Sequence, residues 1–485
     1  MLFNSIEFAL FLPIVFLLYW FVFKKNLGLQ NLFLVVVSYI FYGLWDWRFL
    51  ILIAFTTVSS YFSGILIERA RMREDGGAVS QKLYLIINIV INLAILGFFK
   101  YYNFFVEQFV DLFALFNIYM HPRTLSIILP VGISFYTFQS LSYSIDVYRR
   151  KIEPTSDIVS FFAFVSFFPQ LVAGPIERAT NLLPQFYKTR KFDYNEAVIG
   201  CRMILWGMFK KVVIADTCAL YVDEVWGNIA GQNSSTLLIA AILFAFQIYG
   251  DFSGYSDIAI GTAKLFGFSL MRNFNIPYFS RDIAEFWRRW HISLNRWFVD
   301  YIYIPLGGSR EGKWKSFRNT LIIFSICGFW HGANWTFVFW GLYHALWFLP
   351  LLLMGKNTTN KGTVVAENTK IASVKELLQI LATFIIAVIG WIIFRAENIG
   401  QAWEFFSSIF TSSIVLEPIE LSTLAQLLLY IPIMLVVEWI DRRENYSFTM
   451  NGIHKQWIRM SLYVLLIFIT IFNFRQGQAF IYFQF

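Results

Sequence analysis

One of the five histidines in the 485-residue sequence lies where an ionisable side chain is unusual. His331 follows a long apolar run, and glycine and tryptophan flank it in GFWHGANWTFVFW, residues 328–340. Imidazole titrates near neutral pH and can take a proton from a hydroxyl, so we interpret His331 as a general base. Asn334, three residues later, is expected on the same helical face, and Gly328 and Gly332 would let a ligand approach the backbone. The alternative is a structural histidine that is hydrogen-bonded between helices.

A second histidine lies within residues 282–303, DIAEFWRRWHISLNRWFVDYIY. Three-and-four spacing places Trp287 and His291 on the aromatic stripe of one amphipathic helix. Glu285 and Arg289 are four residues apart and predict an ion pair. This charge makes a lipid crossing unfavourable, so we expect the helix at an interface or beside a polar funnel. A simple interfacial helix is the alternative.

Two further segments carry polar side chains next to apolar runs. The first, FQIYGDFSGYSDIAIG, contains Gln247 and Asp251, and a buried acid there requires a partner such as Arg288 or Arg289. The second, LVAGPIERATNLLPQF, ends an apolar helix at a Gly-Pro pair just before Arg178. A plain loop after a helix explains this second segment equally well.

The composition requires lipid as the surrounding medium. Hydrophobic residues make up 58% of the chain and charged residues 14%, and apolar stretches recur from end to end. A bilayer core about 30 Å thick needs roughly 20 apolar residues per helical crossing, so we predict an all-α polytopic membrane protein with about eleven crossings. The net charge of +8 is attributed to cytoplasmic loops rather than to nucleic-acid binding. Lys210 and Lys211 are expected among these cytoplasmic basic residues, and the alternative is that they attract the phosphates of the acyl donor.

The apolar runs differ in length in the middle of the chain. Residues 83–99 read as one span, whereas 106–118 and 125–138 are short and predict re-entrant or broken helices around a cavity. A polar stretch at 355–372 predicts a flexible surface loop before the C-terminal helices of 373–485. We interpret residues 1–485 as a single membrane domain.

Several motifs of other enzyme classes are missing from the sequence. It contains no HExxH, no Walker loop, no GxGxxG after a strand and no GxSxG elbow. A catalytic metal, nucleotide hydrolysis, dinucleotide redox chemistry and serine-hydrolase catalysis are therefore not expected. Histidine remains the most conspicuous catalyst. His344 is interpreted as structural, and His121 and His454 as solvated.

Taken together, these segments resemble the membrane-bound O-acyltransferase (MBOAT) family, in its bacterial branch that includes the alginate O-acetylation membrane protein. The resemblance rests on AGPIER with LLPQF, FQIYGDFSGYSDIAIG, FWRRWHISLNRWFVDYIYIPLGGSR, FWHGANWTFVFWGLYHALW and the terminal FIYFQF. It implies a ring of tilted helices with re-entrant segments and a central tunnel.

The resemblance also implies residue roles. His331 matches the reactive histidine of the family, and His291 matches its second polar site. Catalytic candidates are thus His331 and His291. Candidates for substrate binding lie in the matching stretches: Asn334, Trp330, Arg178, Gln247, Asp251, Arg288 and Arg289.

The implied reaction moves an acetyl group from a cytoplasmic thioester donor toward an exported cell-surface polysaccharide, as in alginate biosynthesis. Acetyl-CoA is the expected donor, with no tightly bound cofactor and no metal. The bilayer and an extracytoplasmic acyltransferase are the expected partners, and the bacterial cytoplasmic (inner) membrane is the expected location. Two alternatives stay open: D-alanyl transfer from a carrier protein toward teichoic acid, and a non-enzymatic transporter or export scaffold.

Overall fold

The structure is a computed structural model that describes residues 1–73, 77–414, 421–475 and 480–481. Within these ranges the regular elements are helices, and no β-strand occurs in the described part of the chain. The predicted all-α class is therefore confirmed. The chain forms two compact units, Met1–Ala197 with Thr262–Met271, and Val198–Gly261 with Arg272–Phe485. The prediction of a single domain stays a prediction.

The first unit contains the apolar helices of the N-terminal region. Short polar caps begin several of them; Ser5, for example, accepts a hydrogen bond from the Phe8 amide at 3.2 Å. Its helices are α1 (Ile6–Leu17, continued by a π-helical segment Leu18–Val22), α2 (Leu27–Gly43), α3 (Leu50–Arg71), α4 (Ala78–Ala114), α5 (Ile133–Tyr148), α6 (Ile158–Ser166), α7 (Phe168–Leu171) and α8 (Ala179–Phe186).

The second unit contains most of the remaining helices. Helix α9 begins in the first unit and α11 ends there, because the unit boundaries fall at residues 197/198 and 261/262. The helices are α9 (Tyr194–Met208, continued by a π-helical segment Phe209–Ala215), α10 (Asp216–Gly227), α11 (Ser234–Leu265), α12 (Ile283–Arg289), α13 (Ile292–Phe298), α14 (Lys313–His331), α15 (Trp335–Leu353), α16 (Val374–Arg395), α17 (Ile399–Thr411), α18 (Leu421–Ile440) and α19 (Gln456–Phe472).

Several of these helices are suited to crossing a bilayer. In the described part, five are long and apolar enough by length and composition: Trp47–Arg71, Ala78–Ala114, Ser234–Leu265, Trp335–Leu353 and Val374–Arg395. Four shorter apolar helices accompany them: Ile6–Val22, Leu27–Gly43, Gln426–Ile440 and Gln456–Phe472. A helix needs roughly 20 residues to span about 30 Å of hydrocarbon. Multiple crossings are therefore supported, whereas the tunnel and the re-entrant segments stay predictions.

Two predicted helix ends, one after residue 99 and one before the polar cluster around Asp251, are absent from the structure. Residues 83–99 and 106–118 do not form separate elements, because α4 runs without interruption for 37 residues. The polar cluster around Asp251 does not follow an apolar span either, since it lies inside the 32-residue helix α11. Polar residues alone do not end a helix, and neither segment contains a proline at the expected break.

The polar stretch 355–372 is a loop between α15 and α16, as predicted, but arginine side chains anchor it. Arg288 donates a hydrogen bond to the Asn357 carbonyl at 2.6 Å, and Arg442 donates to the Thr369 carbonyl at 2.8 Å. Val365 and Ala366 are buried. The expectation of a flexible surface loop is therefore wrong for this central part.

A histidine pair on one tryptophan

The C-terminus of α14 places His331 at a tight connection between two packed helices. Helix α14 ends at His331, and α15 begins four residues later, at Trp335. The two helices approach closely, because a Cβ atom on Gly328 would lie 2.1 Å from the Phe337 carbonyl oxygen. A Cβ atom on Gly332 would lie 2.1 Å from the Phe337 ring. These glycines thus serve helix packing, and the expectation that they admit a ligand is not needed to explain them.

Aromatic rings enclose the His331 imidazole. The side chain is buried, with 3% of the residue exposed. The ring centroid lies 5.0 Å from Trp330, 5.0 Å from Trp340 and 5.3 Å from Phe394, each in an edge-to-face arrangement. Aromatic pairs favour this geometry. Three aromatic rings therefore pack against the buried imidazole.

Asn334 does not share a helical face with His331, which corrects the expectation from their spacing. The helix ends between the two residues, and Asn334 is the N-cap of α15. Its side-chain oxygen accepts a hydrogen bond from the Thr336 amide at 3.0 Å, and its amide nitrogen donates to the Glu397 carbonyl at 2.6 Å. Asn334 therefore fixes the chain that follows His331.

His291 lies at a break between two short helices rather than within one amphipathic helix. Helix α12 ends at Arg289, and α13 begins at Ile292. The His291 backbone between them is left-handed, with φ 43°. Its Nδ1 atom lies 3.0 Å from the Asn273 side-chain oxygen. The prediction of a continuous helix over residues 282–303 is wrong, although His291 is buried at 1% exposure as a site residue would be.

Both histidines contact the same indole. The Trp330 ring centroid lies 6.0 Å from that of His291 and 5.0 Å from that of His331. His291 also packs edge-to-face against Phe252 at 4.6 Å. The structure thus brings His291, Trp330 and His331 into one cluster of the second unit.

The arginines that follow Trp287 anchor main-chain segments. Arg289 forms the predicted ion pair with Glu285 at 2.8 Å and donates to the Thr363 carbonyl at 3.0 Å. Arg288 holds the 355–372 loop, as described above. Neither arginine is the partner of Asp251 that the sequence suggested.

Lysines, not arginines, neutralise the acids of α11. The Lys211 ammonium lies 2.8 Å from both Asp251 and Asp216, and Lys210 lies 2.7 Å from Asp257. Both lysines are 2% exposed and lie in the π-helical segment Phe209–Ala215, so their assignment to a cytoplasmic loop is wrong, whereas an interaction with donor phosphates stays a prediction. Buried charges in a membrane protein require such pairing.

Glycines on two helices bring these charges together. A Cβ atom on Gly254 would lie 2.7 Å from the Gly207 carbonyl oxygen, and one on Gly207 would lie 2.5 Å from the Gly254 carbonyl oxygen. The backbones of α9 and α11 are therefore in contact. Gly250 and Gly254 form a GxxxG motif, which is typical of close helix pairs in membranes. This motif, with two lysines in an apolar run, was the signal that sequence reasoning missed.

The two remaining predicted binding residues belong to different units. Gln247 is buried in α11, and its side-chain oxygen accepts no hydrogen bond from the described residues. Arg178 belongs to the first unit, at the start of α8. Its neighbour Glu177 accepts a hydrogen bond from the Asn181 side chain at 2.7 Å. Burial raises the pKa of Glu177 to about 7.

A small polar cavity, with about 20 Å³ of water-accessible volume, lies beside the lysine pairs in the second unit. Its wall includes Lys210, Asp257, Arg272 and Phe274. The Phe274 ring also stacks on His291, at 6.4 Å between centroids. The lining of this cavity does not include His331.

This all-helical, multiply crossing chain with buried histidines on a shared indole matches a known class of enzyme. Residues 150–393 match the model of MBOAT, the membrane-bound O-acyltransferase family. The chain is 41% identical over 415 residues to "Probable alginate O-acetylase AlgI" of Pseudomonas aeruginosa, covering 85% of this chain and 75% of that protein. The chain therefore belongs to the membrane-bound O-acyltransferase family and is a multi-pass membrane O-acyltransferase.

Other relatives define the branch more narrowly. The peptidoglycan O-acetyltransferase of Helicobacter pylori is 35% identical over 431 residues, 83% of this chain and 78% of the relative. The teichoic acid D-alanyltransferase of Streptococcus thermophilus is 27% identical over 349 residues, 66% and 83% of the two chains. The similarity is thus greater to the alginate and peptidoglycan O-acetylating proteins, which confirms the branch expected from the sequence.

Proposed function

We propose that the protein transfers an acetyl group from a cytoplasmic thioester donor toward an exported cell-surface polysaccharide, with His331 as the general base. The observation that carries this proposal is the placement of His331 and His291 on one indole, both buried. The O-acetylating relatives, 35–41% identical to this chain, support the acetyl group and the glycan acceptor.

The proposed chemistry needs one proton transfer to the His331 imidazole and one from it. The His331 imidazole removes the proton from an acceptor hydroxyl as the oxygen attacks the acyl carbon of the thioester. The carbon–sulfur bond then breaks, and the departing sulfur takes the proton from the imidazolium. A new ester and a free thiol result, with no net gain or loss of protons.

The surroundings of His331 suit this chemistry. Its aromatic enclosure excludes water, which would otherwise hydrolyse the thioester. Aromatic rings also stabilise a nearby cation, and Trp330 and Trp340, each with its ring centroid 5.0 Å from that of His331, are close enough to act on the imidazolium that forms during the reaction. His291 orients the acceptor hydroxyl, and Asn334 acts through the backbone by fixing the start of α15.

The donor in this proposal is acetyl-CoA, bound as a substrate and not as a resident cofactor. The coenzyme carries its acetyl group as a thioester, which a hydroxyl attacks readily once it is deprotonated. A passage through the protein would spare the charged cofactor a crossing of lipid. The protein would lie in the bacterial cytoplasmic membrane and deliver the acetyl group directly or through an extracytoplasmic acyltransferase.

A donor assay tests the proposal. The purified full-length protein in lipid nanodiscs is mixed with acetyl-CoA or with a D-alanyl carrier protein, and release of the free thiol is measured in the presence of an alginate or peptidoglycan fragment. We expect thiol release and O-acetyl ester formation with acetyl-CoA. Exclusive use of the D-alanyl carrier, or no acyl turnover with either donor, would contradict the proposal.

A further inference from the structure

An asparagine outside the recognised motifs holds His291 in place. Asn273 lies in the segment between α11 and α12 and is fully buried, with 0% exposed. Its backbone carbonyl accepts a hydrogen bond from the Ile292 amide at 2.8 Å. Its side-chain oxygen lies 3.0 Å from His291 Nδ1 and 2.9 Å from the Ser293 hydroxyl. One residue thus contacts three consecutive positions of the break between α12 and α13.

The contacts of the Asn273 amide identify its oxygen and nitrogen. The atom that faces His291 also lies 3.3 Å from the backbone nitrogen of Ser293, which can only donate a hydrogen bond. This atom must therefore be the carbonyl oxygen of the amide, since an NH₂ group could not accept. The amide nitrogen in turn donates to the Ser256 hydroxyl at 3.1 Å.

This orientation decides which nitrogen of His291 carries the proton. An amide oxygen only accepts hydrogen bonds, so His291 Nδ1 must be the donor in the 3.0 Å contact. In the neutral ring the lone pair then lies on Nε2. The left-handed backbone of His291, φ 43°, is an uncommon conformation for a residue other than glycine, and the Asn273 contacts stabilise it.

We infer that Asn273 is a positioning residue that fixes His291 as the Nδ1–H tautomer, so that Nε2 accepts a hydrogen bond from a neighbouring hydroxyl of the glycan acceptor while the reacting hydroxyl gives its proton to His331. The role of His291 toward the hydroxyl rests on the proposed function, whereas the tautomer rests on the contacts above. Neutral His291 then cannot donate through Nε2 to the oxyanion of the acyl carbon. It orients the nucleophile instead.

Nitrogen NMR of the reconstituted full-length protein tests the tautomer without reference to activity. The five histidines are labelled with ¹⁵N, and the signals of His291 are assigned by their loss in His291→Gln. We expect a protonated Nδ1 and an unprotonated Nε2. A protonated Nε2, alone or together with Nδ1, would overturn the inference.

Substitutions test the positioning role. Asn273→Leu keeps the backbone bond to Ile292 but removes the acceptor, so the Nδ1–H tautomer should lose its dominance and acetyl transfer should fall about tenfold. Asn273→Asp keeps an oxygen acceptor and should restore the tautomer. Asn275→Leu is the matched control two residues away, because the Asn275 side-chain oxygen accepts no hydrogen bond from the described residues. It should change neither the tautomer nor the rate.

The two readouts separate this inference from the proposed function. An unchanged tautomer in Asn273→Leu would overturn the positioning role, whatever the rate. If the Nδ1–H tautomer is found but the protein transfers no acetyl group, the proposed function fails and the assignment of Asn273 stands.

Discussion

Two regions of the second unit bury polar groups in different ways. In the lysine region, which comprises Lys210, Lys211 and their acids, Lys211 lies 2.8 Å from each of two carboxylates, Asp216 and Asp251. In the histidine region, the ring neighbours of His331 are the uncharged aromatics Trp330, Trp340 and Phe394. The first arrangement places a cation beside buried carboxylates. The second leaves a titratable group among rings that hold its orientation.

The comparison separates residues that hold helices together from the residues for which we propose a chemical role. A buried ion pair becomes costly when one partner is removed, because the other charge stays buried without compensation. An imidazole among aromatic rings leaves no such buried charge behind when it is replaced. Changes in the lysine region should therefore reduce the amount of folded protein, and changes in the histidine region should reduce acyl transfer in protein that is still folded.

The largest stability effect is expected from Lys211→Met. The substitution leaves Asp216 and Asp251 buried without their cation, which costs about 3–5 kcal/mol. The apparent melting temperature of the detergent-purified protein, followed by size-exclusion chromatography, should fall sharply. Lys315→Met is the matched control, because Lys315 pairs with Glu311 at an exposed position and such pairs contribute about 0.2–1 kcal/mol.

A triple variant sharpens this prediction. Adding Asp216→Asn and Asp251→Asn to Lys211→Met removes all three charges and should recover much of the lost stability. If Lys211→Met alone melts at the wild-type temperature, the lysine region does not hold the helices together.

A smaller loss is expected from Gly254→Ala. The new methyl group would lie 2.7 Å from the Gly207 carbonyl oxygen and 3.0 Å from the Lys211 amide nitrogen. Overpacking of this kind costs about 1–3 kcal/mol. Gly97→Ala, in helix α4, is the control, since no atom lies within 4 Å of its added Cβ. The same thermal assay should show a decrease for Gly254→Ala only, and equal melting temperatures would argue against close packing of α9 and α11.

The smallest effect in this series is expected from Tyr249→Phe. The Tyr249 hydroxyl donates a hydrogen bond of 2.6 Å to the buried Glu438 carboxylate. Loss of this donor should cost about 1–2 kcal/mol, as for other buried groups left without a partner. Tyr343→Phe removes a hydroxyl that donates to a neutral carbonyl, that of Ile386 at 2.9 Å. A larger decrease in melting temperature for Tyr343→Phe than for Tyr249→Phe would contradict the greater importance of a charged hydrogen-bond acceptor.

The sequence predicted the helices where apolar runs were long and bounded by polar residues. The apolar runs 27–44, 49–67 and 335–354 predict three spans, and α2, α3 and α15 agree with them to within a few residues. The split of α4 was wrong because Lys100 and Asn103 lower the local hydropathy, although neither residue breaks a helix.

The sequence also singled out both histidines, because ionisable side chains in apolar surroundings are unusual. It could not predict the break at His291. The segment around His291 contains no glycine or proline, and the left-handed backbone depends on contacts with Asn273, which is 18 residues away. The partners of Asp251 were missed for the same reason, since they depend on tertiary packing of α9 against α11.

The central claim is that His331 carries the chemistry of a correctly inserted protein. The most direct test measures the O-acetyl content of purified cell-surface polymer from cells that express the wild type, His331→Ala, His331→Gln or, as a control, His344→Gln. His344 is equally buried among aromatic rings, next to Trp287 at 4.9 Å. Quantitative blotting of the membrane fraction gives the amount of inserted protein.

We predict that both His331 variants insert at the wild-type level and lose acetylation by about two to four orders of magnitude, as expected for removal of a general base. His344→Gln should retain most of the acetylation. Retained acetylation in His331→Ala at a normal membrane level would contradict the claim and favour a transporter or export scaffold.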